Sequence, residues 1–270
     1  MWNIWSSEWR MTARNRSYYS IAILWIVVIS LLLLLEQTNE AITGYTNVTG
    51  TIVNIMLYIL PLFMLIFGSF SIANEMENGQ WRLLCTYPMD IVSYYFGKLG
   101  GQFTAQAVCF SLAYWFSIVI TLLFGTSISL TWMLVLYLFS MLLILFFLTI
   151  GLLIGSLVHT RWQALTLSVG TWFFLIMIWP TALMAILGAL PYTMIGTLMK
   201  IAMILNPAEF LRFFFVIRLD GGSIFGQAYD GLIPLFEEGI VWGVLFLYAF
   251  VFIFLLGFIS IWLLKRRKAQ

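Results

Sequence analysis

From Leu130 to Leu157 the chain runs without a single Asp, Glu, Lys or Arg. A stretch of about 20 apolar residues is enough to carry a helix across the hydrocarbon core of a bilayer. Similar runs, with Lys98 the one charge among them, recur at residues 18–35, 52–73, 97–124, 162–185 and 240–264. Over the 270 residues, 63% are hydrophobic, 9% are charged and mean hydropathy is +1.02. A soluble domain must cover itself with polar groups and has nowhere to hide so much apolar surface. The expected fold is an all-α polytopic membrane protein with six transmembrane helices, a single domain over residues 1–270.

Charge settles the expected topology. Six spans put both termini on one side, together with residues 74–98 and 158–161. That side holds ten of the thirteen basic residues: Arg10, Arg14, Arg16, Arg82, Lys98, Arg161, Lys265, Arg266, Arg267 and Lys268. The other side keeps Lys200, Arg212 and Arg218, with seven of the eleven acidic residues. The positive-inside rule therefore places both termini in the cytoplasm. Residues 187–205 are apolar enough to span, but Pro191 and Lys200 interrupt them, and a seventh span would put one basic terminus outside. Residues 186–239 are expected to form an extracytoplasmic re-entrant helical hairpin between spans 5 and 6, since broken helix at membrane depth must be buried by protein.

The N-terminal segment, residues 1–16, repeats Trp2, Trp5, Trp9 and Ala13 at helical spacing, with Asn3, Ser7, Arg10 and Arg14 elsewhere. That pattern fits a helix lying in the interface, tryptophans down and Arg10 toward lipid phosphate; the alternative is an ordinary basic flank with interfacial tryptophans. A cleaved signal peptide is not expected, because the first apolar run leads into Glu36-Gln37 with no small-residue cleavage site. Cys85 and Cys109 suggest no disulfide framework.

No catalytic set emerges. His159 is the sole histidine, and neither HExxH nor GxxxxGK[ST] occurs. The middles of the six spans carry no ionisable side chain of the kind proton and ion relays use. Energy for any transport is then expected from a partner.

The stretch that would receive it is Asn74–Lys98, some twenty-five residues where a turn of about five would join two spans. Asn74 is placed to cap a helix with Glu75 and Glu77 in its first turn, favourable at the positive end of the dipole. Gly79 adds flexibility. Trp81, Leu84 and Cys85 form one apolar ridge, Tyr87 extends it and Pro88 ends the helix. Such a helix reads as a docking element, with Glu75, Glu77 and Arg82 as its polar rim. The alternative leaves Trp81 and Tyr87 at the lipid interface.

At these residues the chain resembles the permease subunits of type 2 ABC transporters. The family's acidic pair, Gly, leucine pair, Pro and aromatic-Gly-Lys entry to span 3 correspond to Glu75 and Glu77, Gly79, Leu83-Leu84, Pro88 and Tyr95-Phe96-Gly97-Lys98. The resemblance extends to an N-terminal elbow helix, six spans, the re-entrant region and the basic tail. Leu205–Arg212 is similar to the Asn-Pro-x-acidic-x-x-Arg stretch of permeases that act with an ATPase in nitrous oxide reductase maturation.

The resemblance implies the type 2 ABC exporter fold in a bacterial inner membrane. Two permease copies, as a homodimer or heterodimer, would join two ABC ATPase subunits that bind ATP and Mg. This chain would carry no cofactor or metal of its own and bind no nucleic acid. Its partners would include membrane lipids and an extracytoplasmic accessory protein. Glu75, Glu77, Gly79, Trp81, Arg82, Leu84 and Pro88 would receive the ATPase stroke, and Asn206, Pro207, Glu209 and Arg212 would shape an outer gate or else anchor the re-entrant helices. A non-transporting membrane scaffold or assembly factor, and an ion-coupled secondary carrier, are the competing readings.

Overall fold

The computed structural model describes residues 2–14, 16–37, 47–87, 89–124, 130–189, 192–219 and 241–268, and every regular element among them is a helix. In order they are α1 (Trp2–Arg14), α2 (Arg16–Gln37), α3 (Asn47–Glu77), α4 (Gln80–Thr86), α5 (Ile91–Leu123), α6 (Leu130–Leu157), α7 (Arg161–Trp172), a π-helical segment (Phe173–Ile178), α8 (Trp179–Ala189), α9 (Tyr192–Leu205), α10 (Pro207–Arg218) and α11 (Val241–Lys268). Pro88, the turn at 125–127, Pro191 and the loop from 220 to 239 lie outside the described residues.

Five described helical stretches are long and apolar enough to cross a membrane: Thr49–Glu77, Ile91–Leu123, Leu130–Leu157, Arg161–Ile186 and Trp242–Lys268. Helix α1 meets Tyr18–Leu34 at a 71° bend, and that pair makes a sixth when taken as one span. The helices flanking the 74–98 segment are longer than the hydropathy suggests. Helix α3 runs on to Glu77 because no Gly or Pro follows Pro61 closely enough to stop it, apart from Gly68 in its packed middle. Helix α5 starts at Ile91, two turns before the expected entry at Gly97, because Asp90 caps it by accepting from Val92 N (3.3 Å) and Ser93 N (3.2 Å).

The core is the α3–α6 pair. Small residues let the two backbones touch: a Cβ placed on Gly151 would lie 2.7 Å from the Leu65 carbonyl, and one on Gly68 would lie 2.7 Å from that of Leu148. Around this pair sit buried aromatics, with Phe146 of α6 against Tyr248 (5.7 Å) and Phe252 (5.1 Å) of α11. Helix α10 drives Phe213, Phe214 and Phe215 into the same core. Neither α9 nor α10 is long enough to cross, at 14 and 12 residues.

Two irregularities meet side-chain donors. Pro61 removes the backbone donor of the Leu57 carbonyl in α3, and Trp172 Nε1 donates to the adjacent Tyr58 carbonyl (2.8 Å). The π-helical segment offers the Leu175 carbonyl to Asn206 Nδ2 (2.7 Å).

Candidate functional site at a buried ion triad

The 74–98 segment is built from the end of α3, a turn, the short α4 and the start of α5. Gly79 makes the turn possible. Its φ of +73° lies in the left-handed region where a side chain is strained. The segment corrects the expectation for Asn74, Glu75 and Glu77. They open no new helix; they close α3, at the end of the dipole that opposes carboxylates. Cations from other helices offset that penalty.

For Glu75 the cation is Lys98. Its Nζ lies 2.8 Å from Glu75 Oε1 and 2.6 Å from Oε1 of Glu8, on α1. The ammonium also donates to the Ser71 carbonyl (2.8 Å) and to Ser71 Oγ (3.0 Å). Both carboxylates have a second donor. Gln102 Nε2 donates to Glu8 Oε2 (3.1 Å), and the Tyr94 hydroxyl donates to Glu75 Oε2. Lys98 is 1% exposed and Glu8 4% exposed, so this is a buried network whose charges are held by mutual pairing and hydrogen bonds rather than by water. Tyr94, Lys98 and Gln102 supply their side of it because residues four apart share a helix face.

Helix α1 is thereby seated on protein. A Cβ on Gly101 would lie 2.6 Å from Cβ of Glu8, and one on Gly100 would lie 3.2 Å from Trp5 Cδ1. Trp5 therefore packs on α5 instead of pointing only to lipid, stacked with Trp2 at 4.7 Å. Trp2 is exposed, Trp9 half-buried and Arg10 exposed, consistent with an amphipathic helix having one face on α5.

Helix α4 is turned the opposite way from the expected one. Trp81 faces inward at 6% exposure, its ring edge-on to Tyr94 at 5.3 Å, and Leu84 and Cys85 are half-buried beside the core. The outward face carries Arg82, Leu83, Thr86 and Tyr87, with Leu83 at 66% and Tyr87 at 69% exposure. The ridge foreseen as a docking surface is the one that glues α4 to α5. Pro88 lies outside the described residues.

A second, exposed set of contacts ties the same segment to its neighbours. Glu77 Oε2 accepts the backbone N–H of Arg161 (2.7 Å), and Arg161 Nη2 reaches Asn78 Oδ1 (3.4 Å). Arg267 donates to the carbonyls of Leu157 (2.6 Å) and Val158 (2.7 Å), covering the C-terminal end of α6. Lys268 Nζ donates to the Met89 carbonyl (3.1 Å). The Asp90 carboxyl is held below the usual carboxylate range, chiefly by the N–H groups of Val92 and Ser93. Polar contacts thus tie the end of α3 to α1, α5 and α7, and Lys268 ties α11 to the chain entering α5, while α4 joins them through the Trp81–Tyr94 ring contact.

The other expected set forms a separate cluster. Asn206 breaks the chain between α9 and α10; its Oδ1 accepts from Ala208 N (3.0 Å) as an N-cap, with Pro207 in the first turn. Glu209 and Arg212 pair at 3.4 Å, one turn apart on α10. Glu8, Ser71, Tyr94 and Gln102 were missing from the sequence-derived set. Glu8 had one available signal, as the sole acid on a basic, tryptophan-rich helix.

A family model described as "ABC-2 family transporter protein" matches residues 2–269. The chain is 26% identical over 235 residues to a protein of Stutzerimonas stutzeri named "Probable ABC transporter permease protein NosY", covering 84% of each chain. A protein of the same name from Pseudomonas aeruginosa is 25% identical over 255 residues, covering 88% of this chain and 87% of that one.

Proposed function

We propose, from the premise that this chain belongs to the ABC-2 transporter family and is the permease subunit of an ABC transporter, that it converts the stroke of partner ATPases into helix movement through the Glu8–Lys98–Glu75 triad. The family implies ATPase partner subunits. In the proposed complex two permease copies stand over two ATPases, which bind ATP with Mg and carry out the hydrolysis. The copies lie in a bacterial inner membrane with both termini cytoplasmic, α1 lies as an elbow in the interface, and α9–α10 forms an outer re-entrant hairpin. The direction is export.

The single observation that supports this reading is the joining of three helices at one buried ammonium. A push on the outward face of α4 reaches Trp81 and Tyr94, and Tyr94 holds Glu75. Lys98 then links the end of α3 and the start of α5 to α1. A partner touching only Arg82, Leu83 and Tyr87 would act on the ends of two spans and the elbow together. Asn206, Pro207, Glu209 and Arg212 act at the far end as an outer gate, set by the Asn206–Leu175 bond. In the proposed complex an extracytoplasmic accessory protein meets the permease on the side opposite the ATPases.

The test is co-purification with the cognate ABC ATPase, followed by ATP turnover in proteoliposomes. Wild-type permease is expected to hold the ATPase on the column. Lys98→Met is expected to retain the ATPase while turnover no longer responds to the permease. Loss of ATPase binding by the wild-type chain, or unchanged coupling in Lys98→Met, overturns the proposal.

A further inference from the structure

A cavity of about 460 Å³ opens beside the triad, between α1, α3 and α5. That volume falls within the range of small-molecule sites. Its apolar wall is formed by Met11, Ile66, Phe67 and Phe70, and its polar wall by the triad with Gln102 and Gln106.

The polar wall has acceptors to spare and few donors. The three ammonium hydrogens of Lys98 are taken by Glu8, Glu75 and Ser71. Each oxygen of Glu8 and Glu75 receives one donor and can accept another. Two carboxylates against one ammonium also leave the triad one negative charge in excess. Asn74 Oδ1, on the same wall, is buried without a hydrogen-bond partner. Gln106 is 3% exposed and makes no hydrogen bond among the described residues, although it lines the cavity. A buried acceptor with no partner, as at Asn74 Oδ1, costs free energy unless something else satisfies it. The other cation of the lining, Arg161, is drawn toward Glu77 and Asn78.

We propose that this cavity binds a primary ammonium group carried on an apolar body, with the N–H donors directed at Gln106, Asn74 and the triad carboxylates and the body against Phe67 and Phe70. Excess negative charge and unfilled acceptors select a cationic donor and reject an anion. Aromatic faces beside the ammonium add to the preference. The shared chemistry has two sources: a free organic amine, or the headgroup of an aminophospholipid. Binding stands on the permease alone; only naming the ligand as cargo rests on the transport reading.

The experiment titrates 4-phenylbutylamine, with 4-phenylbutyrate as its anionic counterpart, into the full-length permease in phosphatidylcholine nanodiscs, without ATPase. The amine is expected to bind saturably and at least ten times more tightly than the butyrate. Gln106→Leu should weaken the amine about tenfold. Gln106→Glu should tighten it and abolish the butyrate, so the two variants move in opposite directions and a fold defect cannot imitate the pattern. Repeating the titration in phosphatidylethanolamine discs separates the sources. Competition there assigns the lipid headgroup, and an unchanged constant assigns a free amine. Equal binding of amine and butyrate, or amine binding indifferent to both variants, overturns the proposal. Loss of ATPase coupling would leave this result untouched.

Discussion

Lys98 Nζ stands 2.6 Å from Glu8 Oε1 and 2.8 Å from Glu75 Oε1, so a single buried ammonium holds carboxylates from two other helices. Removing it leaves two carboxylates with no counter-charge. Lys98→Met is expected to cost about 3–5 kcal/mol, the range for breaking one side of a buried ion pair. Glu8→Gln should cost less, because one carboxylate and one ammonium remain matched. The double variant Lys98→Met/Glu8→Gln should be more stable than the sum of the single costs implies. Unfolding in detergent micelles measures all three. Strict additivity would mean that Lys98 and Glu8 do not share one network.

Docking and packing separate on the two faces of α4. Leu83→Ser with Tyr87→Ser should weaken ATPase binding about tenfold or more and leave the melting temperature of the permease unchanged, because both side chains are exposed. Trp81→Ala should do the reverse, lowering stability by about 3–5 kcal/mol as a buried aromatic is lost. Surface plasmon resonance against the ATPase, paired with thermal unfolding, reads both effects. Stronger loss of binding from Trp81→Ala at unchanged stability would return the docking face to the Trp81 ridge.

The long apolar helices and the break at Asn206-Pro207 were legible because each leaves a local mark: an uncharged run, a capping residue before proline. The site was legible only in halves. Lys98 was visible as a charge at the entrance to a span, but an entry placed at Gly97 made it an interfacial flank rather than a side chain two turns inside α5. Glu8 gave the pattern of a solvated helix face, and only the packing of α1 on Gly101 buries it. The orientation of α4 is decided by Tyr94, which is distant in periodicity from Trp81. The π-helical segment Phe173–Ile178 is followed by Pro180, whose missing N–H leaves the Leu175 carbonyl without its i+5 backbone donor, but nothing in the sequence says that Asn206 is the group that meets it.

Close packing of α3 on α6 makes a sharp test of the core. Gly151→Ala puts a methyl 2.7 Å from the Leu65 carbonyl, where backbone has to move. The expected cost is about 1–3 kcal/mol, as for other overpacked sites. Gly170→Ala, with nothing within 4 Å of its added Cβ, should be neutral or gain up to about 1 kcal/mol from helix propensity. The two substitutions add the same atom, so a difference in melting temperature reports the α3–α6 contact alone. Equal effects would show that the two helices have room to separate.

Asn206 performs two tasks with one carboxamide. Its oxygen caps α10 at Ala208 N, and its nitrogen satisfies the Leu175 carbonyl in the π-helical segment. Asn206→Ala loses both, with an expected cost of about 2–4 kcal/mol from a missing cap and an unsatisfied buried carbonyl. Asn206→Ser restores the cap only and should recover about 1 kcal/mol. Asn206→Asp keeps a good capping oxygen but turns a carboxylate toward the Leu175 oxygen, so it should be no better than alanine despite its favourable place at a helix N-terminus. An order of Asn, Ser, then Ala with Asp in thermal unfolding assigns the nitrogen's bond a share of the stability. Rescue by Asp to the wild-type level would leave the cap as the sole task. If the junction also gates transport, Asn206→Ser should lower turnover-coupled flux in proteoliposomes by more than its small stability loss, because the bond it cannot remake is the one that couples α10 to the fifth span.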